Sequence, residues 1–176
     1  MKEIERMKET AMIINEFANI KKLTRLALPD DDSYLYRLGV VLYGFASINS
    51  FMTEIICHID KKKNRTKLLS DATSGKVLKD FKKTLDKIKS DGMYTKIHST
   101  MEKTYGLFEE LKNIRDDIVH PYPITNKSKE QILYRRKDSQ GKYFEVDNAF
   151  LDKFISELHK VSKNLYEIRV EVKSNS

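Results

Sequence analysis

From Ser33 to Ile59, apolar side chains recur at every third or fourth position: Leu35, Leu38, Leu42, Phe45, Ile48, Met52, Ile55 and Ile59. That spacing is the 3.6-residue period of an α-helix, and about seven turns of it constrain the chain more than any other stretch. Asp30, Asp31, Asp32 and Ser33 stand at its entrance, where side-chain oxygens cap a helix and negative charge suits the dipole. Val41, Ala46 and Ile56 make the other side apolar as well. A helix apolar on more than one side must be contacted on more than one side, so this is the central helix of a bundle.

The rest of the chain supplies partners for it. Within residues 1–30, Ile4, Met7, Ala11, Ile14, Phe17 and Leu23 mark a first helix, which Pro29 ends. Residues 60–74 are polar and Lys-rich and read as a loop, closing on Thr73-Ser74-Gly75, a sequence that starts helices. Val77, Leu78, Phe81, Leu85 and Ile88 predict a shorter helix stopped by Ser90-Asp91-Gly92. A further helix is expected from about Met93 through Met101, Phe108 and Ile114 to Val119, where Pro121-Tyr122-Pro123 must end it. Two short β-prone runs, Gln131–Arg136 and Lys142–Val146, predict a hairpin over 131–146. Residues 147–170 return to helical spacing, with Asp147 or Asn148 as cap, and the last six residues are expected to fray. The expectation is a single all-α domain over 1–176, an up-and-down bundle of four to six helices with a small β-hairpin before the last one. An apolar fraction of 40% over 176 residues suffices for one buried core.

Composition narrows the chemistry. One cysteine, Cys57, excludes an internal disulfide and a Cys-based zinc site within one chain, which suits a reducing compartment. Met1-Lys2-Glu3-Ile4-Glu5-Arg6 does not read as a secretion signal, and no uninterrupted apolar stretch approaches the ~20 residues of a membrane span. A cytoplasmic protein without membrane contact is expected. No Gly-rich loop precedes a helix, and none of the four histidines has a partner at familiar metal-ligand spacing, so neither metal nor cofactor is expected. A net charge of +7 favours an anionic partner.

His58, His98 and His159 fall inside helical patterns and read as surface or satisfied, partly buried imidazoles. His120 differs, because it stands at a helix end immediately before a proline. Negative partial charge at a helix C-terminus suits a proton-exchanging imidazole. Asp116, four residues earlier, can approach and orient that ring, whereas Arg115 lies about 140° around the helix from it. The same segment also reads as a helix end with solvated charges.

The run Asn113-Ile114-Arg115-Asp116-Asp117-Ile118-Val119-His120 resembles the signature of the HEPN-domain family: an arginine, a polar residue, and a histidine after a gap of four to six. The small residues around Gly44-Phe45-Ala46, the helix start at Ser74-Gly75-Lys76-Val77-Leu78, and the hairpin before a last long helix are similar in pattern and order over residues 33–170. Only the motif is specific. The resemblance implies a metal-independent endoribonuclease cutting single-stranded RNA, in toxins, phage defence or RNA processing, with Arg115 and His120 catalytic and Asp116 orienting. It also implies a homodimer with both motifs facing one cleft. Members usually carry Asn where this chain has Asp116. Tyr122 completes Arg-x4-His-x-Tyr, which looks like the motif of toxins whose nucleotidyltransferase antitoxins modify the tyrosine. Tyr122 is therefore expected to be solvent-accessible beside the site. Other members are non-catalytic scaffolds that bind RNA or a protein, and that alternative stands beside the nuclease.

Overall fold

The computed structural model describes residues 18–20, 22–23, 28–71, 73–135 and 144–175. The expected first helix lies largely outside them. Residues 18–20 and 22–23 are helical, with Ile20 and Leu23 exposed.

Five α-helices and a three-stranded sheet follow: α1 (Asp32–Ile59), α2 (Arg65–Asp71), α3 (Ser74–Ser90), α4 (His98–Val119), β1 (Tyr122–Thr125), β2 (Gln131–Arg135), β3 (Phe144–Val146) and α5 (Asn148–Ser174). The expected all-α bundle with a small β-element before the last helix is what forms. The central helix is α1, which packs most extensively on α5 and also on α3, while α4 lies against α3 and α5. Phe45 of α1 and Phe108 of α4 stack across the interior, their centroids 5.2 Å apart. Val41, Met52, Ile55 and Ile56 of α1 are buried with Phe81 and Leu85 of α3 and with Phe154, Val161 and Leu165 of α5. Gly44 allows α1 and α5 to approach closely, since a Cβ there would meet Leu158 Cδ1 at 3.0 Å. By length and composition alone α1 could cross a membrane, but here its buried residues form the centre of the bundle core.

Local chemistry explains where the elements start. Asp31 caps α1 by accepting from Ser33 N–H (2.9 Å), Thr73 caps α3 by accepting from Lys76 N–H (3.4 Å), and Asp147 caps α5 by accepting from Phe150 N–H (2.8 Å). Three boundaries and one side chain differ from expectation. The segment 60–74 is not all loop: Asn64 accepts from Lys67 N–H (3.0 Å) and starts α2, whose Leu68 packs against the core. The helix expected from Met93 begins at His98, after a 3-10 turn over Thr95–Ile97, because Tyr94 adopts a left-handed backbone (φ 54°). The last helix does not fray from residue 171, since Val172 is fully buried and continues the apolar stripe to Ser174. Leu42, counted in the apolar stripe of α1, is 45% exposed.

The hairpin gains a third strand. β2 pairs antiparallel with β3, and β1 pairs antiparallel with the other edge of β2, Tyr122 facing Tyr134 and Pro123 facing Leu133. Pro123 has no N–H for a ladder, and an edge strand is where a sheet tolerates it. Lys142 and Tyr143, expected in the hairpin, lie outside the described residues. Tyr34 fixes the sheet to α1: its buried hydroxyl donates to Val146 O (2.8 Å) and accepts from Leu133 N–H (2.9 Å), and burial pushes the phenol up from its ordinary pKa.

Candidate active site at the end of the fourth helix

Arg115, Asp116 and Asp117 occupy the last turns of α4, and His120 caps its C-terminus with a non-helical backbone (φ −113°, ψ 6°). The following Pro121 cannot continue the helix, so the chain leaves directly into β1.

Two residues anchor this end. Ile118 is buried in the core. Asp117, only 5% exposed, places Oδ1 3.4 Å from Arg135 Nε of β2 and so ties the last turn of α4 to the sheet. Sequence reasoning gave Asp117 no role. A charge between two other polar residues carries no signal of burial, although its position one residue before core Ile118 and three after Ile114 places it toward the inner face.

Arg115 is partly exposed. Its guanidinium carbon lies 5.6 Å from the centroid of Phe45, and its Nη1 donates to Asp116 Oδ1 at 3.1 Å. The aromatic face thus holds the stem of the arginine while part of its donor fork stays open to solvent. Asp116 engages Arg115, and among the described residues no ion pair joins it to His120. At i,i+4 spacing the two side chains are neighbours, but the carboxylate has turned to the guanidinium, the stronger donor.

Arg115 and Asp116 line a cleft of about 410 Å³ together with Asn49 of α1, Lys112 of α4, and Thr73, Ser74 and Gly75 at the start of α3. The N-terminus of α3 points partial positive charge at the same space that Arg115 and Lys112 border. His120 and Tyr122 are not among the lining residues of that cleft. Both are exposed beyond the helix end, Tyr122 by 44%, with its ring edge-on to Tyr134 at 5.8 Å. The structure therefore brings Arg115 and Asp116 together in one cleft and sets His120 and Tyr122 just past it.

Fold and site together define a helical bundle with a small antiparallel sheet and a cationic cleft at the end of α4. No family model, no curated protein and no solved structure matches the chain.

Proposed function

We propose that this protein is a metal-independent endoribonuclease of HEPN type, acting as a homodimer in the cytoplasm, in a toxin or phage-defence role. The observation that carries the reading is the cleft in which Arg115 stands beside Lys112 and the N-terminus of α3, a setting made for a phosphate, with exposed His120 at the end of the same helix.

In the proposed reaction the ribose 2′-oxygen attacks the adjacent phosphorus and the bond from phosphorus to the 5′-oxygen breaks. One His120 takes the proton from the 2′-hydroxyl and a second imidazole gives one to the departing 5′-oxygen, leaving a 2′,3′-cyclic phosphate. Arg115 offers its fork of donors to the non-bridging oxygens as charge builds on them. Asp116 holds Arg115 in register. One chain offers a single histidine at this helix end, so two copies of the 115–120 segment across a twofold axis complete the acid and base pair. Tyr122, beside His120, is the residue that a modifying antitoxin or defence-system partner would reach.

A non-catalytic scaffold that binds RNA or a protein partner is the second reading. It is favoured by the internal pairing of Arg115 with Asp116 and by the position of His120 outside the cleft lining. The test offers single-stranded RNA and DNA of the same sequence to the protein in excess EDTA. The nuclease cuts only the RNA, which alone carries the 2′-hydroxyl, and leaves cyclic phosphate ends. RNA bound but uncut across several sequences would establish the scaffold instead.

A further inference from the structure

A second concavity, of about 470 Å³, lies on the adjoining face of α1. Asn49 borders the Arg115 cleft and Ser50 borders this one, so the two open about 100° apart around the same helical turn. Its walls are aromatic and basic: Tyr43 and Phe51 of α1, Arg65 of α2, and Tyr166 and Arg169 of α5, with Glu54 at the base.

Tyr43 is 79% exposed and Tyr166 is 52% exposed. The two rings are left in water although the bundle core beside them is filled. Tyr166 packs edge-on to Phe51 at 5.0 Å and 75°, with the Arg169 guanidinium 4.6 Å from its centroid and 4.9 Å from that of Phe51. Glu54 steadies this arrangement from 3.8 Å on Arg169 and 3.9 Å on Arg65, and Arg65 Nη2 also donates to Ser50 Oγ at 3.1 Å. His58 approaches Glu54 from one turn further along α1 at 3.5 Å. Two guanidinium groups against one carboxylate leave the concavity net positive. Along the same wall α1 also presents the small side chains of Ala46, Ser47 and Ser50.

We infer that this concavity is a stacking groove for single-stranded RNA, in which unpaired bases lie on Tyr43 and Tyr166 while Arg65 and Arg169 meet the backbone phosphates. Exposed aromatics interleaved with arginines on a positive surface are the elements of sequence-tolerant single-strand binding. A duplex hides the faces of its bases and does not fit. The inference rests on the ribonuclease reading for the choice of RNA, and it assigns the groove the task of leading a strand toward the Arg115 cleft one helical face away.

The test measures fluorescence anisotropy of a short, unstructured, labelled RNA and of a DNA of the same sequence, at low salt, in a His120→Ala background that leaves both strands uncut. Tyr43→Ser and Tyr166→Ser should each weaken binding about 5- to 100-fold, with RNA and DNA affected alike, because stacking ignores the 2′-hydroxyl. Tyr43→Phe keeps the ring and should bind within about twofold of its parent, which separates stacking from a folding defect. Serine variants that bind as the parent does would overturn the groove, as would a parent that binds neither strand. A serine variant whose mass in sedimentation falls from dimer to monomer would also overturn it, assigning the tyrosines to contact with a second copy. The nuclease reading fails separately. If no form of the protein cuts RNA yet the serine variants lose binding, the groove stands and the nuclease falls. If cleavage persists and the serine variants bind normally, the reverse holds.

Discussion

Tyr34 shows how one atom decides the fit between a helix and a sheet. Its hydroxyl closes the carbonyl of Val146 and the N–H of Leu133, which face each other in the ladder between β2 and β3. Tyr34→Phe keeps the ring but leaves both backbone groups without that partner, at a cost of roughly 1–3 kcal/mol in denaturant unfolding. Asp117 acts similarly at the other end of the sheet, and Asp117→Ala should cost a comparable ~1–3 kcal/mol by leaving Arg135 without its nearby carboxylate. Neither residue stood out in the sequence: a tyrosine between Ser33 and Leu35 and one aspartate of an adjacent pair give no sign of the strand each will meet. Arg115, Asp116, His120 and Tyr122 were legible as a group because one helix end and one proline carry them all. Which atom each would face was not. Two carboxylates and one guanidinium within three residues allow several pairings, and packing on Phe45 selects among them.

Among the elements, α1 and α3 read from the sequence most faithfully, each with an apolar periodicity bounded by clear start and stop residues. Short elements were hidden. α2 rests on the Asn64 cap inside a Lys-rich stretch, and β1 contains a proline that reads as a break until an edge position accommodates it. The C-terminal end of α5 was hidden by its flanking charges, although Val172 continues the buried stripe. Removing residues 171–176 should therefore destabilise the bundle by roughly 1.5–3 kcal/mol through the loss of that one side chain, a shift readable in the urea midpoint. The starts of α1 and α5 are joined through Asp31. Hydrogen bonds from Ser33 and then from Asn148 lower its carboxyl to a pKa of about 2. Its folded-state pKa lies below the unfolded value near 4, so its stabilising effect is complete above about pH 4 and disappears as acid approaches pH 2. Asp31→Asn should flatten stability against pH across that window, and a slope equal to wild type would assign the acid dependence to other carboxyls.

At the scale of the whole molecule, the bundle holds a cationic cleft at the end of α4, and the proposal asks two copies to share it. Sedimentation of the purified chain should give the mass of a dimer, and a monomer at all accessible concentrations would leave the acid and base pair incomplete. With a net charge of +7, RNA affinity should also fall as salt rises, as counterion release requires. Whether this helix end is catalytic is decided by the cleavage rates of wild type and His120→Ala at equal folded concentration, on single-stranded RNA in excess EDTA. His120 is exposed at a helix end, so the variant should fold as wild type does. His120→Ala should lose about 10²- to 10⁴-fold in cleavage rate, the usual worth of a positioned proton-transfer group, with RNA binding retained. Cleavage at the wild-type rate by His120→Ala would contradict it.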